Sequence, residues 1–173
     1  MENQVNSKGF IVNNGVILGV ASVIFALVLY ATGNHLKPHW SASVVNAIIF
    51  IGTILYGIKQ YKAANNGFLS WGQGVKVGVG VAIVGGLILV IYNYLFLTFI
   101  EPNFMQQMMD IQNEAFLDQG MSEEQVEAAN EMGKAFQGPV LLAALGIISY
   151  AVGGFIVAAI AAAIMKKSEE ETY

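Results

Sequence analysis

Four apolar stretches, separated by polar connections and once by a long acidic segment, constrain this chain more than any other feature. They run roughly from Gly15 to Thr32, Ser41 to Ile58, Val75 to Ile100 and Val140 to Met165. Each is near or above the ~20 residues that an α-helix needs to cross a ~30 Å hydrocarbon core. A bilayer interior admits only helices and closed barrels, and continuous apolar runs without two-residue alternation select helices. The expected fold is therefore an all-α integral membrane protein with four transmembrane helices. Of 173 residues, 55% are hydrophobic and 12% charged, so spans and short connections use nearly the whole length and residues 1–173 read as a single membrane domain.

Composition excludes several chemistries. There is no cysteine, which removes disulfides, thiol nucleophiles and thiolate metal sites. All eight basic residues are lysines, so the bidentate clamp that arginine offers phosphate is absent, and a net charge of −4 speaks against a nucleic-acid partner. Within the spans there is no Asp, Glu, Arg or His, and Lys76 lies close enough to a span end to snorkel. Ion-coupled transport usually needs an ionisable group facing a cavity at depth, so a channel or transporter is the least favoured of the function classes.

Orientation follows from the lysines. Lys8, Lys59, Lys62, Lys76, Lys166 and Lys167 fall on one side of the spans, Lys37 and Lys134 on the other. The positive-inside rule then predicts both termini in the cytoplasm and the acidic segment exported. The polar run from Met1 to Asn14 lacks a small-x-small cleavage site, so the first span is expected to be retained.

Between the third and fourth spans the period changes to amphipathic, predicting an exported αα-hairpin over about 103–137. In its first helix Phe104, Met105, Met108, Met109, Ile111, Ala115 and Phe116 share a face opposite Asp110, Glu114 and Asp118. Gly120 breaks that helix, and Ser122 with Gln125 forms a capping-box start for the second. There Val126, Ala129, Met132, Gly133 and Phe136 oppose Glu123, Glu124, Glu127 and Glu131. Eight acids against one lysine, from Glu101 to Lys134, carry about −7. Such a stripe reads as a solvated face, with cation binding as the sharper alternative; the Asp-rich spacing of a calcium loop is missing. His35 and His39 have the four-residue spacing of helical metal ligands, but Pro38 lies between them and no carboxylate is adjacent. No metal or cofactor site is assigned.

Polar residues within spans, Asn46, Thr53, Tyr92, Asn93, Thr98, Ser149 and Tyr150, read as interhelical hydrogen-bonding groups. Small residues recur at four-residue spacing: Gly15 and Gly19, Gly74 and Gly78, then Gly154, Ala158 and Ala162. Such ridges let backbones approach closely, within one chain or across a homodimer. The connection between spans two and three combines Lys59, Lys62 and Lys76 with Tyr61, Phe68 and Trp71, a set suited to the headgroup layer. Ser70 with Gln73 is a second plausible cap. Candidate contacts to lipid or a partner are these six residues together with Glu123, Glu127 and Glu131.

Three motifs carry a resemblance: Tyr56-Gly57 with Tyr61-Lys62, the lead-in Gly67-Phe68-Leu69-Ser70-Trp71-Gly72-Gln73 with Lys76, and the turn Gln119-Gly120-Met121-Ser122-Glu123-Glu124-Gln125. Together they resemble the bacterial four-span membrane family catalogued as domain of unknown function 4199, over nearly the entire chain. The resemblance implies a bacterial inner-membrane protein and carries over no catalytic residue. Lysine stands here where that family often has arginine. The leading expectation is a non-enzymatic scaffold or regulatory component of an envelope complex, acting on a membrane-protein partner or as a homo-oligomer. The alternative is an accessory subunit or flippase-like partner in lipid-linked sugar metabolism.

Overall fold

The computed structural model describes residues 5–134 and 138–167. The described residues form six helices: α1 (Lys8–Ala31), α2 (Trp40–Ala64), α3 (Trp71–Leu95), α4 (Phe104–Asp118), α5 (Glu123–Lys134) and α6 (Pro139–Met165). A π-helical turn, Phe96–Ile100, continues α3. Four of the rods (α1, α2, α3 with its π turn, and α6) are long and apolar enough to cross a bilayer, the architecture of a multi-pass membrane protein.

Local chemistry sets the helix ends. Ser70 and Gln73 form a reciprocal capping box at the start of α3, and Ser122 and Gln125 exchange the same pair of bonds before α5. Pro139 stands in the first turn of α6, where its missing N–H has no intrahelical partner to lose. The α2–α3 turn passes through Asn66 and Gly67, both at positive φ (54° and 81°), a conformation that Gly and Asn tolerate best.

Helix α3 is the centre of the bundle and packs on α1, α2 and α6. Small residues make this possible. Gly74 and Gly78 face Ala162 and Ala158 of α6, while Gly154 faces Ala82; a Cβ at Gly74 would stand 2.6 Å from that of Ala162. On the other flank Gly15 meets Val84 and Gly19 meets Ile88, where a Cβ would come within 2.6 Å. The ridges seen in the sequence are thus consumed inside one chain, where close backbone approach replaces the hydrophobic drive that lipid cannot supply.

The two ends of the bundle differ. One, here the lysine end, gathers the start of α1, the α2–α3 turn and the end of α6. The other, the acidic end, carries the 32–39 loop, α4 and α5. The packed core, comprising Leu18, Ile54, Ile58, Tyr61, Leu69, Val77, Val81, Ala82, Ala158 and Ala161, lies mainly toward the lysine end. In α2 every fully buried residue (Ile54, Gly57, Ile58 and Tyr61) belongs to the half nearer that end, while Trp40, Val44 and Ile48 toward the other are exposed.

Helices α4 and α5 occur where the amphipathic pattern predicts them, contact each other and turn at Gly120. Their burial is shallower than expected. No residue of α4 is fully buried, Ala115 is exposed, and Phe104, Met105, Met108, Met109, Ile111 and Phe116 are half-buried. In α5 Val126 is buried, but Met132 is 74% exposed. At 100° per residue Met132 stands about 120° from Val126, so the covered stripe runs through Val126, Ala129, Asn130 and Gly133 instead. Phe136, the last residue of the predicted α5 face, lies outside the described residues.

Candidate functional site

At the lysine end the aromatic–lysine connection is built into the fold. Tyr61 is buried and meets Phe10 edge-on at 5.9 Å. Lys62 Nζ donates to the Met165 carbonyl at 2.7 Å, a cation placed on the free acceptors at the end of α6. Leu69 and Lys167 exchange two backbone hydrogen bonds, 3.0 and 2.9 Å, as an isolated antiparallel pair. Lys167 Nζ lies 5.6 Å above the Phe68 ring, and the Trp71 indole N–H donates to the Ala159 carbonyl at 3.1 Å. Of the six candidate residues here, Lys59, Trp71 and Lys76 are exposed, Lys62 and Phe68 half-buried, and Tyr61 buried. Tyr61, Lys62 and Trp71 therefore make structural contacts whatever else they do.

Just inside this end, Asn14 is 1% exposed and donates through Nδ2 to Phe10 O at 2.9 Å and to Gln60 Oε1 at 2.8 Å. This α1–α2 side-chain bond was not among the expected ones. Asn46, Asn93, Thr98 and Ser149 are exposed, and Thr53 bonds back to Ile49 O in its own helix. Asn14 lies in the polar run before the first apolar stretch, so nothing in the hydropathy pattern marked it as buried.

At the acidic end the structure joins two residues that the sequence separates. His35 Nε2 stands 2.8 Å from Glu101 Oε2, with their side chains 16% and 15% exposed. The N–H direction is off-line, so the contact is close without being a formed hydrogen bond, and His35 Nδ1 has no partner among the described residues. Aromatic rings enclose the imidazole: Phe104 stacks at 6.1 Å, and Tyr30 and Phe96 approach edge-on at 5.0 and 6.4 Å. The π turn helps to build this cluster. Its 2.8 Å bond from Glu101 N to Phe96 O links residues five apart, drawing the carboxylate nearer the face that carries Phe96. Glu101 Oε1 accepts from Gln107 Nε2 at 3.1 Å, which ties the start of α4 to the same group. Lys37 and Glu114 approach at 3.8 Å, both largely exposed.

His35 and His39 do not meet as ligands. His39 caps α2, accepting weakly from Ser41 N at 3.4 Å. No group of three or more His, Cys, Asp or Glu side chains converges among the described residues. Glu123, Glu127 and Glu131 are exposed along α5.

The family profile described as "Protein of unknown function (DUF4199)" matches residues 13–167. The chain belongs to this family. The match runs from just before the α1–α2 contact at Asn14 to the Leu69–Lys167 pair, so it takes in all six helices of the DUF4199 bundle except the first residues of α1. Neither a curated protein nor a solved structure matches the chain. Family membership therefore assigns no activity, and the membrane character rests on the four long apolar helices.

Proposed function

We propose that this DUF4199 protein is a non-enzymatic component of a bacterial inner-membrane complex, a scaffold or regulator that meets its partner outside the hydrocarbon core. One observation carries the reading: the bundle interior is filled by Leu18, Ile54, Val77, Val81, Ala82 and Ala158, all 0% exposed, while the charged groups lie at the two ends. Close packing of small and aliphatic residues favours a rigid support over a conduit. Lys59 and Lys76 at one end, and Glu123, Glu127 and Glu131 at the other, are the side chains best placed for a partner. Both termini and the α2–α3 turn face the cytoplasm in this reading, and α4 and α5 are exported, because six of eight lysines gather at one end.

Crosslinking mass spectrometry in native membranes tests the partner. Replacing Lys59 and Lys76, or Glu123 and Glu127, by alanine is expected to lower recovery of the crosslinked partner at unchanged protein abundance. Reconstituted protein that moved ions or a lipid-linked sugar unaided would defeat the reading. The orientation is tested by single cysteines at residues 65 and 120 in this cysteine-free chain: an impermeant external maleimide should label 120 and spare 65 in intact spheroplasts.

A further inference from the structure

Toward the acidic end α1 and α2 separate and leave two adjoining cavities, about 240 and 220 Å³, which share Phe25, Leu29 and Ala42 in their walls. Leu89 of α3 and Tyr150 of α6 also line the deeper cavity. Tyr150 is held edge-on against Phe50 at 5.3 Å, so the crevice stops one turn below Asn46. Polar groups line it at graded depth. Asn34, His39 and Ser41 stand at the outer cavity, Ser43 and Asn46 further along α2, and Ser22 beside Tyr150 at the bottom. Ser22 is 6% exposed, and its hydroxyl, although it faces the Tyr150 hydroxyl, makes no hydrogen bond of good geometry.

From these features we infer that the crevice is a binding site for one glycerophospholipid of the leaflet at the acidic end. Its walls are helices that cross the bilayer, so a lateral opening between them meets lipid. Phe25, Leu29 and Val45 offer an acyl chain an apolar track. Hydrocarbon alone would satisfy neither the buried Ser22 hydroxyl nor the Asn46 amide, which the protein leaves uncovered on the lipid side, so the fitting occupant also carries oxygen acceptors. Depth selects the glycerol esters. Trp40 is 70% exposed and starts α2 where an interfacial aromatic belongs. At 1.5 Å per residue Ser43 lies about 5 Å and Asn46 about 9 Å further in, spanning the boundary between headgroups and hydrocarbon. The ester carbonyls then accept from Ser43 and Asn46, and the phosphate comes level with Ser41, His39 and Asn34. The site holds whichever protein partner the bundle serves.

The test is photolabelling in vesicles of phosphatidylethanolamine and phosphatidylglycerol that contain a phosphatidylethanolamine with a diazirine on its acyl chain. Label mapped by peptide mass spectrometry should concentrate on residues 25–29 and 42–46, above the level on the outer face of α6 at Ile148, Val152 and Ile156. Ala42→Trp fills the crevice and should remove that excess while leaving the α6 labelling as it was. Asn46→Leu keeps the side-chain bulk, removes the donor, and should cost the protein a phospholipid that the parent retains in native mass spectrometry. Labelling spread evenly over the lipid-facing surfaces overturns the site. So does retention of lipid by Asn46→Leu at the parent level, or a dominant crosslink between two copies through residues 42–46, which would make this face a self-interface.

Discussion

The halves of the bundle are made from the same four helices yet packed by different means. Toward the lysine end glycine and alanine bring α3 against its neighbours, Asn14 bridges α1 to α2, and backbone bonds fasten the α2–α3 turn to the end of α6. Toward the acidic end a crevice opens between α1 and α2, and large rings around His35 join the loop after α1 to the end of α3 and the start of α4. The difference shows what a membrane bundle gains from small side chains on its central helix: along α3 they close the gap between backbones, whereas between α1 and α2, away from those seams, a crevice stays open. It also separates support from recognition, since a surface free to bind must not already be spent on packing.

The contrast is most sharply challenged at α3. Gly78→Leu drives a side chain into Ala158 and Ile54 and is expected to cost about 3 kcal/mol in denaturant titration of the micellar protein. Gly146→Ala, near the acidic end of α6, meets only Val90 at 3.7 Å and should leave the midpoint unchanged or slightly raised. Equal effects at the two positions would erase the distinction. A smaller loss, about 1–2 kcal/mol in the same titration, is expected for Gln60→Leu, which strips the buried Asn14 amide of its side-chain acceptor. His35→Ala should destabilise the whole bundle by only about 1 kcal/mol while increasing the rate at which protease cleaves between α4 and α5, because Phe104 loses its stacking partner. Cleavage at the parental rate would show that α4 is held by other contacts. Smallest of all, Glu123→Gln with Glu127→Gln should change stability by less than about 0.5 kcal/mol, since both carboxylates are exposed.

Local signals in the chain were readable where the physics is local. Apolar length specified the four spans, Ser70 with Gln73 and Ser122 with Gln125 marked helix starts, and the glycine–alanine spacing marked the close seams. What escaped is long-range. Nothing near His35 announces Glu101, because the pairing exists only after α1 and α3 lie side by side and the π turn has reset the last turn of α3. Hydropathy places Met132 on the covered face, yet α5 meets too little of its surroundings to cover a stripe that wide. The crevice is invisible for the same reason: Ser22, Asn46 and Tyr150 are ordinary polar residues until three helices bring them together.

The Leu69–Lys167 pair has a consequence for how the protein is made. Leu69 emerges from the ribosome with the first half of the chain, whereas the backbone that matches its N–H and C=O comes almost a hundred residues later. Until then a nascent chain carries an open backbone edge at the membrane surface, and one cut short before Lys167 keeps it. Arrival of the residues after α6 is thereby registered in the folded shape itself: the α2–α3 turn closes its backbone bonds only when the last span is in place.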